Sequence, residues 1–158
     1  MTPRPGMIPG MPSIFVSGGS TERPKIAEYI AVLRAAGWHV TYDWTRNRGW
    51  EDPTHDEALR AHLYCLRGVQ EADVLWYVAP EQKSEGSHAE LGIAIALKRR
   101  IVASGPGLLT LSRVFHRFAD LATESHGSML EILAKYPPAV IDMAPRPRAR
   151  LMADLPRP

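Results

Sequence analysis

Val74-Leu75-Trp76-Tyr77-Val78 is the stretch that decides the fold. Five apolar residues follow Asp73 without a polar interruption and give way to a polar loop at residues 79–86. A strand with no polar face is expected where helices cover both sides of a parallel sheet. Upstream, Ser13-Ile14-Phe15-Val16-Ser17 has the same character and stops at Gly18-Gly19-Ser20, a strand feeding a turn. Downstream, Ile101-Val102-Ala103-Ser104 reads as another buried strand, and His39-Val40-Thr41-Tyr42 as a further one.

The segments between these strands carry helical spacing. From about residue 21 to 36, Ile26, Ile30, Leu33 and Ala36 recur between charges, and Gly37 stops the helix. A second helix is predicted over residues 55–71, with Leu59, Leu63, Leu66 and Val69 as its inner face. A third spans residues 87–98 and is apolar enough to be deeply packed. Past Gly105-Pro106-Gly107 the pattern weakens, leaving a short strand near residues 116–118 and a helix from about 124 to 135. Alternating strands and helices joined by short connections predict an α/β fold: a single doubly wound, flavodoxin-like domain with a mostly parallel sheet of about five strands.

Residues 13–136 form this expected domain. Residues 1–12, with four prolines, read as a flexible N-terminal segment, and residues 137–158 as a Pro/Arg-rich tail. That tail holds four arginines and two aspartates, a net +2 equal to that of the whole chain, so residues 1–136 sum to zero. The sequence pI near 8.9 therefore does not mark the folded body as a binder of nucleic acid. Cys65, the one cysteine, forms no internal disulfide and fits a reducing compartment. With neither a signal-peptide core nor a membrane-length apolar run, the expected address is cytoplasmic, with no membrane partner.

In an open parallel sheet, ligands sit beyond the C-terminal strand ends where strand order reverses. The loops expected there are Ser17-Gly18-Gly19-Ser20 and residues 81–87, each leading into a helix N-terminus that favours an anion. Within Ser87-His88-Ala89-Glu90-Leu91-Gly92, two readings compete. Ser-x-x-Glu before an apolar helix is a capping box, with Glu90 folding back on Ser87. Alternatively, Glu90 is a carboxylate in the helix's first turn, kept ionised by the dipole and directed at the switch point, with Gly92 allowing close approach. Trp44 and Trp50 follow the second strand and offer flat surfaces for a base, although packing is the commoner fate of tryptophan. The six histidines show no metal-ligand spacing, and neither a metal nor a cofactor is expected.

The segments Ile14 to Gly18, Gly68 to Val74 and Ser84-Glu85-Gly86-Ser87-His88-Ala89-Glu90-Leu91-Gly92-Ile93-Ala94 resemble the nucleoside 2-deoxyribosyltransferase superfamily, which includes deoxynucleoside 5′-monophosphate N-glycosidases. The resemblance spans about residues 13–135, and its most specific part surrounds Glu90. It implies that Glu90 attacks the anomeric carbon of a nucleoside or nucleotide and expels the base. A second base or water then resolves the sugar ester, by the logic of retaining glycosidases. It also implies that Ser84, six residues before the glutamate, holds a 5′-phosphate together with Ser17, Gly18, Gly19 and Ser20. Gly86, Ser87, Asp43 and Trp44 complete the expected substrate-binding set, and Arg23 is either a further phosphate contact or a solvated helix charge. Homo-oligomers are implied as well, with residues 115–129 reaching a neighbour.

Two residues depart from the family's pattern. Phe15 stands where the family usually has a tyrosine that positions the glutamate, and it has no hydrogen-bond donor. Cys65 stands where the family usually has an aspartate near the base. Asp43, Asp56 and His88 are the alternative proton donors, and a buried small side chain is the simpler reading of Cys65. These departures motivate a second function, a nucleotide-binding module without catalysis. A third is an NAD-type glycohydrolase, because other domains with this sheet use a glutamate.

Overall fold

The computed structural model describes residues 11–47, 54–106 and 118–136. Its elements run β1 (Ser13–Ser17), α1 (Arg23–Ala35), β2 (His39–Val40), α2 (His55–Glu71), β3 (Val74–Val78), α3 (Glu85–Ala96), β4 (Arg100–Ser104), β5 (Leu121–Thr123) and α4 (His126–Lys135). Single 3-10 turns occupy Ser20–Glu22 and Trp44–Arg46. The five strands lie in the order β2-β1-β3-β4-β5, every pair parallel. This is the expected α/β sheet, and its order reverses between β1 and β3. Of the predicted terminal segments, residues 1–10 of the first (1–12) and all of the second (137–158) lie outside the described residues, as does Trp50.

Register shows how the two faces are shared. Phe15 pairs with Leu75, Val16 with Trp76 and Ser17 with Tyr77. Trp76 stacks on Tyr29 of α1 with ring centroids 5.2 Å apart, while Phe15 lies against Gly68 of α2. Alternation along β1 and β3 therefore directs one set of side chains to α1 and α4 and the other to α2 and α3. All five residues of β3 are buried, which accounts for the unbroken apolar run. Gly37, at φ +92°, ends α1 in the left-handed region, and Trp38 donates its indole N–H to the Leu133 carbonyl at 2.8 Å.

The helices depart from expectation in instructive ways. The buried face of α2 is Ala61, Cys65, Gly68 and Val69, whereas Leu59 and Leu63 are 52% and 54% exposed. The helix lies too close to β1 for large side chains. A Cβ at Gly68 would stand 2.8 Å from Phe15 Cδ2 and 2.9 Å from Tyr42 Cβ. α3 starts at Glu85 rather than Ser87, because Ser84 is its N-cap and accepts from the Ser87 N–H. It is also less deeply packed than its composition suggested: Leu91 and Ala94 are buried, but Leu97 is 44% exposed. Nothing lies within 4 Å of a Cβ placed at Gly92, so close packing does not demand glycine there. β2 is two residues long, although Thr41 N–H still reaches the Ile14 carbonyl at 3.0 Å. The last strand lies at Leu121–Thr123, after Phe118, and the predicted residues 116 and 117 fall outside the described set.

Candidate active site

Two loops meet above the break in strand order. After β1, Gly18, Gly19, Ser20 and Thr21 enter α1; after β3, Gln82, Lys83, Ser84, Glu85, Gly86 and Ser87 enter α3. Glu22 joins these two loops, its Oε1 accepting from the Glu81 N–H at 2.8 Å. A Cβ at Gly18 would fall 2.1 Å from Ile26 Cδ1, so a larger residue there needs that terminal methyl to shift. Together with Trp44, and with His62 and Cys65 of α2, the loops enclose a cleft of about 320 Å³ that ends at Glu90. That volume is in the range of small-ligand sites.

Glu90 occupies the second turn of α3 and is 8% exposed. It does not close a capping box on Ser87. Ser17 Oγ donates to Glu90 Oε2 at 2.5 Å, and the Cys65 thiol also hydrogen-bonds to the carboxylate. Burial raises the Glu90 carboxyl to about 7, and the bonds from Ser17 and Cys65 oppose that rise. The Cys65 thiol is pushed up by its own burial and then by the adjacent carboxylate, so it keeps its proton. Burial, and secondarily Glu90, also raises the phenol of Tyr77, the β3 residue paired with Ser17.

The remaining predicted residues divide clearly. Gly18, Gly19, Ser20, Trp44, Ser84, Gly86 and Ser87 line the cleft with Glu90, and Ser17 lies buried beside it. The Ser84 and Ser87 hydroxyls are 2.9 Å apart. Trp44 is 5% exposed and donates its indole N–H to the Val16 carbonyl. Asp43 is not among the lining residues. Ion pairs to Arg34 at 2.8 Å and Arg46 at 3.0 Å hold it over a separate depression with Tyr42 and Tyr64. Arg23 Nε donates to the Thr45 carbonyl at 2.7 Å, and Asp56 is exposed in the first turn of α2. His88 turns back to the Ser84 carbonyl and meets Tyr77 edge-on, outside the lining. Met129, in the stretch expected to reach a neighbour, is wholly buried in the chain's own core.

His62 and Thr21 line the cleft and were not anticipated. The signal for His62 was available: it lies three residues before Cys65, one turn earlier on the same helix. Among the described residues, no group of three or more His, Cys, Asp or Glu side chains is arranged to hold a metal ion. No helix of the described residues is long and apolar enough to cross a membrane.

This arrangement belongs to a known fold. The CMP N-glycosidase BcmB of Clostridium botulinum superposes with a TM-score of 0.54 at 18% identity, covering 78% of this chain and 98% of its own. The 2-deoxyribosyltransferase of Bacillus psychrosaccharolyticus superposes with a TM-score of 0.62 at 14% identity, covering 84% and 98%. A conserved protein from Enterococcus faecalis V583 gives 0.58 at 13% identity, covering 80% and 99%. The chain shares the deoxyribosyltransferase fold. No protein-family model and no curated protein matches its sequence.

Proposed function

We propose that this chain cleaves or transfers the N-glycosidic bond of a nucleoside or nucleoside 5′-monophosphate, with Glu90 as nucleophile. The observation that carries the reading is the position of Glu90. A carboxylate is buried at the end of a cleft, held by Ser17, and flanked by two loops that each open a helix. The shared fold with an N-glycosidase and a deoxyribosyltransferase supports the same chemistry.

The parts have distinct tasks. The glycine and hydroxyl residues of the two loops receive the sugar and, where present, its phosphate, with helix N-termini favouring negative charge. Trp44 offers its ring to the base. Ser17 fixes one carboxylate oxygen, so that the other attacks the anomeric carbon in a retaining displacement. Glu90 must be ionised to attack, and a carboxyl near 7 is poised to supply that form at neutral pH. A homo-oligomer in the cytoplasm is part of this reading. Light scattering of the full chain at assay concentration tests the assembly, and a monomer mass counts against it.

The direct test is chromatographic detection of free base after incubation with deoxy- and ribonucleosides and their 5′-monophosphates, each with and without a second base. Base release that disappears in Glu90→Gln supports the proposal, and the product separates transfer from hydrolysis. Ligand binding without base release favours instead a binding module. Phe15 motivates that alternative, since its fully buried ring packs against Gly68 and brings no donor to the carboxylate.

A further inference from the structure

A buried carboxylate stays charged only where protein donors replace the water it has lost. Around Glu90, three elements contribute. β1 brings the Ser17 hydroxyl, which donates to Oε2, whereas Phe15 on the same strand has no donor to give. β3 brings Tyr77, paired with Ser17 in register; its phenol is raised by burial and then by the Glu90 charge, and so stays neutral. α2 brings Cys65, buried in the same cleft lining as Glu90, with its thiol hydrogen-bonded to the carboxylate. Gly68, three residues along the same buried face, lets α2 come this near: a Cβ there would meet Phe15 and Tyr42 inside 3 Å. Burial and the adjacent carboxylate both push the thiol up, so it remains a donor throughout the range in which Glu90 titrates. A carboxylic acid at the same place would ionise and set a second negative charge beside the first.

We infer that Cys65 is a positioning residue, a neutral donor on α2 that works with Ser17 of β1 to hold the Glu90 carboxylate charged and aimed along the cleft. The inference rests on the proposed glycosidic chemistry and makes the cysteine a donor to the nucleophile, not to the leaving base. One bond from Ser17 leaves the carboxylate free to turn about its terminal torsion, which has broad minima. A second donor from a different element removes that freedom. Because a thiol donates weakly, it steadies the carboxylate without tying up the electron pair that attacks. Cys65 itself keeps its proton and forms no bond to the sugar.

The test follows the Glu90 side-chain carboxyl by NMR titration of the full chain labelled at glutamate Cδ, its signal assigned by its loss in Glu90→Gln. Cys65→Ala is expected to raise the Glu90 midpoint by about half a unit or more, since a donor to the charged form is gone. Cys65→Ser, which restores a donor, is expected to bring the midpoint back to that of the unsubstituted chain or below it. A smaller rise or a fall in Cys65→Ala overturns the inference. An equal rise in Cys65→Ser overturns it too, because the effect would then come from space and not from the donor. If Cys65→Ala fails to fold, Cys65→Val takes its place under the same criterion. Cys65→Asp gives the opposite sign to a proton-donor role. Moving the Glu90 midpoint from about 7 to about 8 cuts its ionised fraction at pH 7, and with it base release, about fivefold. Base release in Cys65→Asp that is gained, or lowered less than twofold, overturns the inference. Absence of base release from the unsubstituted chain is a different result: it overturns the glycosidic reading, while the titration still decides whether Cys65 holds Glu90.

Discussion

Ser17 and Glu90 are 73 residues apart in sequence, and the serine hydroxyl donates to the glutamate Oε2 at 2.5 Å inside the buried end of the cleft. The contact couples the last residue of β1 to the second turn of α3 across the point where strand order reverses. Because the bond favours the charged form, it opposes the desolvation that raises Glu90. In Ser17→Ala that opposition is lost. The pH at which kcat/KM reaches half its plateau is expected to move up by about one unit or more, since a hydrogen bond to a charged group contributes roughly 1.5–3 kcal/mol. A pH–rate profile unchanged from that of the unsubstituted chain would disprove the coupling.

Glu90 itself should destabilise the fold above neutrality. Its folded-state carboxyl lies near 7 against an ordinary 4.5. Between these values the folded chain holds a proton that the unfolded chain has released, so stability falls as pH rises from about 4.5 to 7 and then levels off. Glu90→Gln removes the ionisation while keeping the shape. It is expected to be the more stable chain at pH 8 by on the order of 3 kcal/mol, with the difference vanishing near pH 4. Urea denaturation at the two pH values measures this, and equal differences at both would refute it.

Gly68 sets the distance between α2 and β1, and through it the position of Cys65 beside Glu90. Replacing glycine by alanine inside a helix ordinarily gains about 1 kcal/mol. Here the new methyl would meet Phe15 and Tyr42 inside 3 Å. Gly68→Ala is therefore expected to lose about 1–3 kcal/mol net, as overpacked cores do. Adding Phe15→Leu should recover part of the loss. Thermal or urea melts of the single and double variants decide it, and a stabilised Gly68→Ala would show that the helix moves away without cost.

The same position shows where reading the sequence stops. β1, β3 and the bounds of α2 were legible because their signals are local: unbroken apolar runs, helical spacing and a polar punctuation at each end. The buried face of α2 was not. Large apolar residues suggest Leu59 and Leu63, but the close approach to Phe15 selects Ala61, Cys65 and Gly68 instead. The start of α3 was equally ambiguous, because Ser84 and Ser87 both offer a cap and a hydroxyl 73 residues away claims Glu90. The two loops of the cleft were legible from strand ends and glycines. Asp43 was expected in the substrate-binding set and as an alternative proton donor, and only the fold shows it paired with Arg34 and Arg46. His62 was signalled only by its spacing, one turn before Cys65, and its place in the cleft lining appears once α2 and α3 pack on the same face.

Glu22 carries the last prediction, because it ties the loop after β1 to the loop after β3 without lining the cleft between them. Its carboxylate accepts from the Glu81 backbone, close to where a Cβ at Gly19 would stand. Loss of that bond should let the two loops separate while leaving Glu90 and Ser17 in place. The binding of the sugar and phosphate then weakens more than the displacement itself. Glu22→Ala is accordingly expected to raise KM by about five- to tenfold with kcat within twofold, the pattern of lost uniform binding. Glu22→Gln retains an acceptor for the Glu81 N–H and should stay within about twofold of the unsubstituted KM. Steady-state kinetics on the best substrate of the panel measures both, and a fall in kcat at constant KM would instead place Glu22 in the chemical step.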